Sequence, residues 1–526
     1  MAGAHRREFL KVTAAAALAA GCSAQPRDTS VGSVRPGKKT ASGGPNILVF
    51  LTDDHGQWAQ PAYGNSEIHA PNLDRLAARG VRMTRAYTPC PVCSPARASF
   101  FTGRMPSQHG IHDWIEEVSH EFSHPGLKGQ TLISELLANA GYNTGLVGKW
   151  HCGRSREPHP GFDRWFSYWT NQYPHRGTQN FSDQGKHVVE EGAQSPLLTD
   201  RAIEFLRHHH QSPQHANQPF FLFVGYVDTH SPHNEAPPEF VSEYRDATFR
   251  DIPDETLPAC HGRAISRAAP TVAAEQQRRT DYYAAVASID REVGRVLAEL
   301  ETLGELDNTL IVYTADHGYN AGHHGIWEKG NGTNPQNFFD ESIRVPCMIS
   351  WPAGGIMQKA TCDDAANHCD LHATLLDVAH ATPSTSMAAR INSPGRSYLS
   401  QLRGHPAENP QHVEICEYGN ARMIRDDRYK LIRRSPFGGI RFADELYDLH
   451  DDPRETTNRI EDPSLASTIA KLSRQLQEFF DQYTVPDHSG LRLAHQPECT
   501  TGSPWLVAVE YYKRLATRPA TAPAKR

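Results

Sequence analysis

Three stretches of this chain are apolar at every position rather than at every second one: Ile47-Leu48-Val49-Phe50-Leu51, Phe220-Phe221-Leu222-Phe223-Val224 and Leu310-Ile311-Val312-Tyr313. A strand with one face in water alternates. A strand with no polar face has to be covered on both sides, which is the situation of a parallel sheet between two helical layers. Each run breaks off into a polar cluster: Thr52-Asp53-Asp54-His55-Gly56, Asp228-Thr229-His230-Ser231-Pro232-His233 and Ala315-Asp316-His317-Gly318. Helical patterns lie between the runs, as at Leu132 to Ala140 and Thr280 to Leu303, and after the last of them, at His368 to Ala379. This repeat of strand, polar cluster and helix predicts an α/β fold with a large, mostly parallel, doubly wound central sheet. Its polar clusters would meet at one sheet edge, where such folds carry their sites. Adjacent carboxylates such as Asp53 and Asp54 repel each other unless a cation lies between them; the alternative is a turn with two solvated acids.

A second feature is the stretch Pro91-Val92-Cys93-Ser94-Pro95-Ala96-Arg97-Ala98-Ser99-Phe100-Phe101-Thr102-Gly103. Pro95 is expected to break the local backbone, and the apolar run after it to start an anchoring helix. Cys93 and Arg97 would then sit about one turn apart at a helix N-terminus, where anions are favoured. A single cysteine is more often a small buried hydrophobe, and Cys90 nearby leaves a redox or metal pair open. The stretch Gly141-Tyr142-Asn143-Thr144-Gly145-Leu146-Val147-Gly148-Lys149-Trp150-His151 places a lysine and a histidine two apart on an extended segment, pointing the same way.

The Cys93 stretch resembles the signature of the type I sulfatases, of the alkaline phosphatase-like superfamily, and Gly141 to His151 resembles their second signature. The resemblance spans about residues 45 to 485. It implies a sandwich with a large central sheet flanked by helices, plus a smaller C-terminal α+β subdomain with a short antiparallel sheet. It also implies that a maturation enzyme oxidises Cys93 to formylglycine, whose hydrate is the nucleophile. By the same resemblance Asp53, Asp54, Asp316 and His317 hold a divalent metal beside Cys93, calcium first. Arg97 orients the hydrate, Lys149 and Lys329 clamp the sulfate oxygens, His230 or Lys329 protonates the leaving oxygen, and His151 assists the hydrate. Many relatives carry asparagine where this chain has His317; a nitrogen donor widens the choice of metal to Mg²⁺ or Mn²⁺. The implied activity is hydrolysis of sulfate monoesters, with sulfated glycans as substrates. A phosphonate or phosphodiester hydrolase of the same superfamily, and a non-catalytic surface lipoprotein that binds sulfated glycans, are the competing readings.

The 53 basic residues against 60 acidic ones, a net charge of −7, give no basic surplus for nucleic acid. The N-terminus reads as an export signal over residues 1 to 22. Arg6-Arg7-Glu8-Phe9-Leu10-Lys11 resembles a twin-arginine motif, and Leu18-Ala19-Ala20-Gly21-Cys22 a lipoprotein cleavage box that would put lipid on Cys22. This predicts a periplasmic or cell-surface protein, attached to a membrane only through that lipid. Residues 23–44 read as a disordered tether, 45–405 as the catalytic domain, 406–490 as the C-terminal subdomain and 491–526 as an extension with a disordered tail. Of the ten cysteines, Cys362 and Cys369 are the nearest plausible disulfide couple. Gln108 to Trp114 is a candidate pocket lining, His208-His209-His210 reads as a solvated helix end, and His323-His324 as either pocket or loop. The Asp and Arg residues of the Thr280–Leu303 helix read as a solvated face.

Overall fold

The computed structural model describes residues 44–117, 124–170, 173–233, 236–265, 271–407 and 413–516. The export signal with Cys22, the tether up to residue 43 and the tail from residue 517 lie outside the described residues.

Ten strands form the main sheet: β1 Asn46–Thr52, β2 Val81–Met83, β3 Asn143–Gly148, β4 Arg164–Tyr168, β5 Thr178–Asp183, β6 Lys186–Glu191, β7 Phe220–Gly225, β8 Thr309–Ala315, β9 Cys347–Ser350 and β10 Ala360–Cys362. Their order is β10-β2-β9-β8-β1-β7-β3-β4-β5-β6. The five strands from β8 to β4 pair in parallel, as do β10 and β2. The flanking pairs β9/β8, β9/β2, β4/β5 and β5/β6 are antiparallel, so the sheet is mixed, with its parallel block in the middle.

The unbroken apolar runs have the expected cause. Ile47, Val49 and Leu51 of β1 point into one core together with Phe221, Phe223, Leu310 and Val312. Leu48 and Phe50 point into a second core on the other face with Phe220, Leu222, Val224, Ile311 and Tyr313. Each strand therefore fills two cores and has no solvent face.

Register then sets the site. Thr52 of β1 lies opposite Ala315 of β8, and Gly148 of β3 opposite Gly225 of β7. The residues that follow, Asp53, Asp316 and Lys149, thus leave the sheet side by side at its carboxyl edge.

The helices named below are α1 Pro71–Ala78, α2 Cys93–Thr102, α3 Ile133–Asn139, α4 Gln194–Gln211, α5 Val272–Thr302, α6 His368–Val378, α7 Ala466–Tyr483 and α8 Pro504–Ala516. Helix α2 begins at Cys93, so Pro95 does not break the backbone. It sits in the first turn, where a backbone N–H has no intrahelical acceptor to lose. Helix α5 starts well before Thr280 because the Thr271 hydroxyl accepts from Ala274 N at its N-terminus. Its acids are not all solvated: Asp290 is buried and accepts from Leu73 N at 2.8 Å and Asn72 Nδ2 at 2.8 Å. It supplies the cap that α1 lacks from its own N-cap residue, Ala70. His209 is likewise buried against Asn143 rather than solvated.

A four-stranded antiparallel sheet follows: β11 Glu414–Tyr418, β12 Ala421–Arg425, β13 Tyr429–Arg434 and β14 Glu445–Asp448. Cys416, Tyr418 and Met423 of this sheet pack in one cluster with Cys90, Val92 and Cys93. The small sheet therefore supports the loop that carries Cys93. All nine described cysteines are free. The Cys362–Cys369 couple is not made: Cys362 closes an edge strand in the main core, while Cys369 is in the first turn of α6 in a different cluster.

Candidate active site

Cys93 is the first residue of α2, and α2 is buried along its whole length. Phe100 and Phe101 anchor the helix on Phe223 of β7, at ring separations of 5.4 and 4.8 Å. Arg97 comes one turn after Cys93 and has no exposed surface. Its Nε donates to Asp316 Oδ2 at 2.8 Å and its Nη1 to the Lys149 carbonyl at 3.0 Å. One guanidinium thus ties together α2, the end of β8 and the end of β3.

The acids converge on the same point. Asp53 pairs with Lys149, and Asp54 with Lys329 at 2.5 Å. His317 Nε2 lies 3.3 Å from Asp54 Oδ1, 3.4 Å from Asp316 Oδ1 and 3.8 Å from Asp53 Oδ1. Its Nδ1 lies 2.9 Å from the Gly318 carbonyl and must carry the proton there, so Nε2 presents a lone pair to the acids. Ligand atoms of Asp53, Cys93 and His317 lie within 4.8 Å of one another. Asp53 Oδ1, Asp54 Oδ2 and His317 Nε2 are buried without a hydrogen-bond partner. Orphaned acceptors on three side chains clustered in a dry site are what a divalent cation would satisfy, so the donor set fits a metal.

Electrostatics agree with that geometry. Burial alone would raise Asp53, but Lys149 and then His230, Arg97 and Lys329 hold it well below the usual carboxylate range. Burial pushes Asp54 well up, with Asp53, Glu328 and Asp316 adding to the rise against Lys329. Asp316 is raised to about 6 by burial and by Asp53, despite Arg97. Burial depresses His151, with Lys149 adding to it, and depresses His230, with Lys329 adding to it. Lys329 is held well above the ordinary lysine value by Asp54 and Cys93, against burial.

Cys93, Lys149, His151, His230 and Lys329 line one cavity of about 430 Å³. His151 reaches it by a left-handed backbone (φ 56°) rather than from an extended segment. Gly148 just before Lys149 has φ 101°, and a Cβ there would stand 2.2 Å from the Gly225 carbonyl. The signature glycine is therefore a close-packing requirement between β3 and β7. The structure thus brings all ten sequence-derived site residues to one place: six along the cavity and helix α2, and Asp53, Asp54, Asp316 and His317 beneath.

Several neighbours had escaped the sequence reading. Tyr173 places its ring 4.7 Å from Lys149 Nζ, a cation–π contact. His368 Nε2 lies 2.9 Å from the Asp316 carbonyl, and Thr229 donates to the carbonyls of Asp53 and Asp54. Glu328 and Gly502 also line the cavity. From the Gln108–Trp114 stretch only Trp114 does; Asp113 is buried instead against Tyr418 and Ser503. His323 and His324 hold loops, through the Asp251 carbonyl and Glu341.

A cysteine at a helix start, a carboxylate cluster that fits a cation and two lysines in one cavity suit the hydrolysis of anionic esters, on an α/β sheet that carries these residues at its carboxyl edge. The comparisons give the family. Residues 45–381 match the sulfatase family model, and residues 322–482 match that of the N-sulphoglucosamine sulphohydrolase C-terminal region, so the chain belongs to the sulfatase family and is a sulfuric ester hydrolase. It is 29% identical over 479 residues to the uncharacterized sulfatase YidJ of Escherichia coli (strain K12), covering 85% of this chain and 89% of that one. It is 28% identical over 512 residues to the N-acetylglucosamine-6-O-sulfatase of Bacteroides thetaiotaomicron, covering 84% and 87%. A solved structure in complex with its substrate D-glucosamine-2-N,6-O-disulfate superposes with a TM-score of 0.69 at 25% identity, covering 84% of this chain and 98% of that one.

Proposed function

We propose that this chain hydrolyses sulfate monoesters carried on sugars, with Cys93 matured to formylglycine as the nucleophile. The observation that carries the reading is the meeting of Cys93 with Asp53 and His317, and of His317 with Asp54 and Asp316, at a cavity lined by Cys93, Lys149 and Lys329. The sugar part rests on similarity to relatives named for sulfated amino sugars.

In this reading Asp53, Asp54, Asp316 and His317 hold one divalent cation. Three carboxylates favour Ca²⁺, while the imidazole nitrogen keeps Mg²⁺ and Mn²⁺ open. Bound there, the cation would offset negative charge on the sulfate oxygens. With Asp53 and Asp54 engaged in holding the cation, the Lys149 and Lys329 ammonium groups would be available to the sulfate oxygens. Arg97 keeps Asp316 ionised and aimed, and its buried charge sits one turn from the nucleophile. His230 donates Nδ1–H to the Ser231 carbonyl at 2.6 Å, leaving Nε2 as the nitrogen that exchanges a proton with the leaving oxygen, alongside Lys329. His151 Nε2 is held at 3.1 Å on the Ile115 carbonyl, beside Cys93, where it assists the nucleophile. Removing one such charged contact costs about 10²–10³ in rate.

The reading extends to the rest of the chain. Residues 45–405 form the catalytic domain and 406–490 a subdomain that braces it. A maturation enzyme acts on Cys93, and a twin-arginine signal exports the protein to the periplasm or cell surface, with lipid on Cys22. Among the described residues no helix is long and apolar enough to cross a membrane. The test is release of inorganic sulfate from 4-nitrophenyl sulfate and N-acetylglucosamine 6-O-sulfate. Turnover by the matured protein and none by Cys93→Ala supports the reading; equal turnover by both refutes it.

A further inference from the structure

The cavity has a second side that the sulfate-facing groups do not occupy. Trp114, Tyr173, Ile265, Glu328 and the backbone at Gly502 form it. Glu328 is half-buried on a two-residue strand, Trp327–Glu328, that pairs with Asn320–Ala321. Its φ is 89°, a backbone region that residues with a Cβ rarely adopt and that gathers at ligand sites. Asn320 Nδ2 donates to the Glu328 carbonyl at 2.9 Å and helps to hold this conformation. Among the described residues no hydrogen bond or ion pair reaches the Glu328 carboxylate. Its charge nevertheless acts on Asp54 and Lys329.

An ionised carboxylate accepts hydrogen bonds and cannot donate one. A ligand group against Glu328 must therefore offer a hydroxyl, an amide N–H or an ammonium. A sulfate or carboxylate there meets like charge in a partly dry cavity. No arginine lines the cavity among the described residues, and its two lysines are those beside the acid cluster, so the described residues on this side offer a second anion no counter-charge.

The stretch around Trp114 and Gly502 is tied down. Glu116 N donates to the Cys499 carbonyl at 2.9 Å, Thr500 Oγ1 to Glu116 at 3.2 Å, and Trp505 packs on the Tyr418 ring at 5.7 Å. This segment lies beyond residue 482, where the family models stop matching. Gly502, in this segment, lines the cavity together with Glu328.

We propose that Glu328 selects the substrate: it accepts a hydrogen bond from a hydroxyl or ammonium of the sugar that bears the scissile ester, and it excludes sugars with a second anionic group at that position. This rests on the sulfatase reading above. Sulfate release is measured for the matured wild type and Glu328→Gln on glucosamine 6-O-sulfate, glucosamine-2-N,6-O-disulfate and 4-nitrophenyl sulfate. Wild type should favour the monosulfated sugar in kcat/KM by about tenfold or more, the worth of one charge-assisted hydrogen bond. Glu328→Gln should narrow that ratio by about tenfold, mainly through KM. General damage to the fold lowers both sugars alike and leaves the ratio unchanged, so an unchanged ratio overturns the proposal. A wild-type preference for the disulfate overturns it as well, and in either case turnover shows that the sulfatase reading stands. No release from any of the three by wild type overturns both.

Discussion

Arg97 is where the site can be tested without knowing the substrate. Its guanidinium is fully buried and makes two bonds, to Asp316 Oδ2 at 2.8 Å and to the Lys149 carbonyl at 3.0 Å. Arg97→Met removes both and leaves Asp316 beside Asp53 and Asp54 with no cation on that side. Breaking a buried pair by deleting one partner costs about 3–5 kcal/mol. Arg97→Lys keeps a charge but not the planar fork, so it loses at least one charge-assisted hydrogen bond, about 1.5–3 kcal/mol. Urea unfolding in chelator at pH 8 reads both losses as midpoint shifts at unchanged slope. Asp316 is raised to about 6, so at pH 5 it takes up a proton and the Arg97–Asp316 attraction is lost. The penalty of Arg97→Met should then be smaller at pH 5 than at pH 8. Repeating the substitution in an Asp316→Asn background isolates the pair, and the two changes should fall short of additivity by about 1.5–3 kcal/mol. Strict additivity, or an Arg97→Met protein within about 1 kcal/mol of wild type at pH 8, would refute the argument that this arginine holds the acid cluster together.

Other outcomes follow from the same packing and electrostatics. Gly148→Ala places a Cβ 2.2 Å from the Gly225 carbonyl at a φ of 101°, and should cost about 2 kcal/mol or more in unfolding free energy and displace Lys149, lowering turnover as well. Saturating Ca²⁺ at about 100 times its dissociation constant should stabilise the metal-free protein by about 2.7 kcal/mol, read as a rise in melting temperature that Asp53→Asn abolishes. Burial pushes Glu414 up to about 8, with Asp370 adding to it, and burial raises Asp370 to about 6. The folded state therefore holds protons that the unfolded chain has released, and these groups' contribution to stability falls as pH rises from about 4 through 8. Glu414→Gln should flatten that fall in urea titrations across the range; an unchanged pH slope would count against it.

The parts of the fold that could be read in advance are those whose cause is local. The unbroken runs in β1, β7 and β8 reveal strands covered on both faces, and their polar ends mark the edge where Asp53 and Asp316 emerge. Strand β9 carries the same apolar texture yet pairs antiparallel with β8, because a strand's own pattern says that it is buried and not which way its neighbour runs. Asp290 looked like one more acid on a helical surface; its role as the cap of α1 depends on a helix more than two hundred residues away along the chain. Cys93, Arg97, Lys149 and His151 were legible because each sits in a long contiguous signature. Tyr173, Glu328 and Gly502 were not, since single residues from three distant segments meet only when the sheet has aligned them. Pro95 misled because a proline breaks a helix interior but suits a first turn.

The account stands or falls on the side chain at position 93. Mass analysis of the peptide spanning Cys93, taken from protein that is releasing sulfate, reads it directly. Conversion of the thiol to the aldehyde predicts a loss of about 18 Da. A fully active protein whose Cys93 retains its unmodified thiol mass would contradict it.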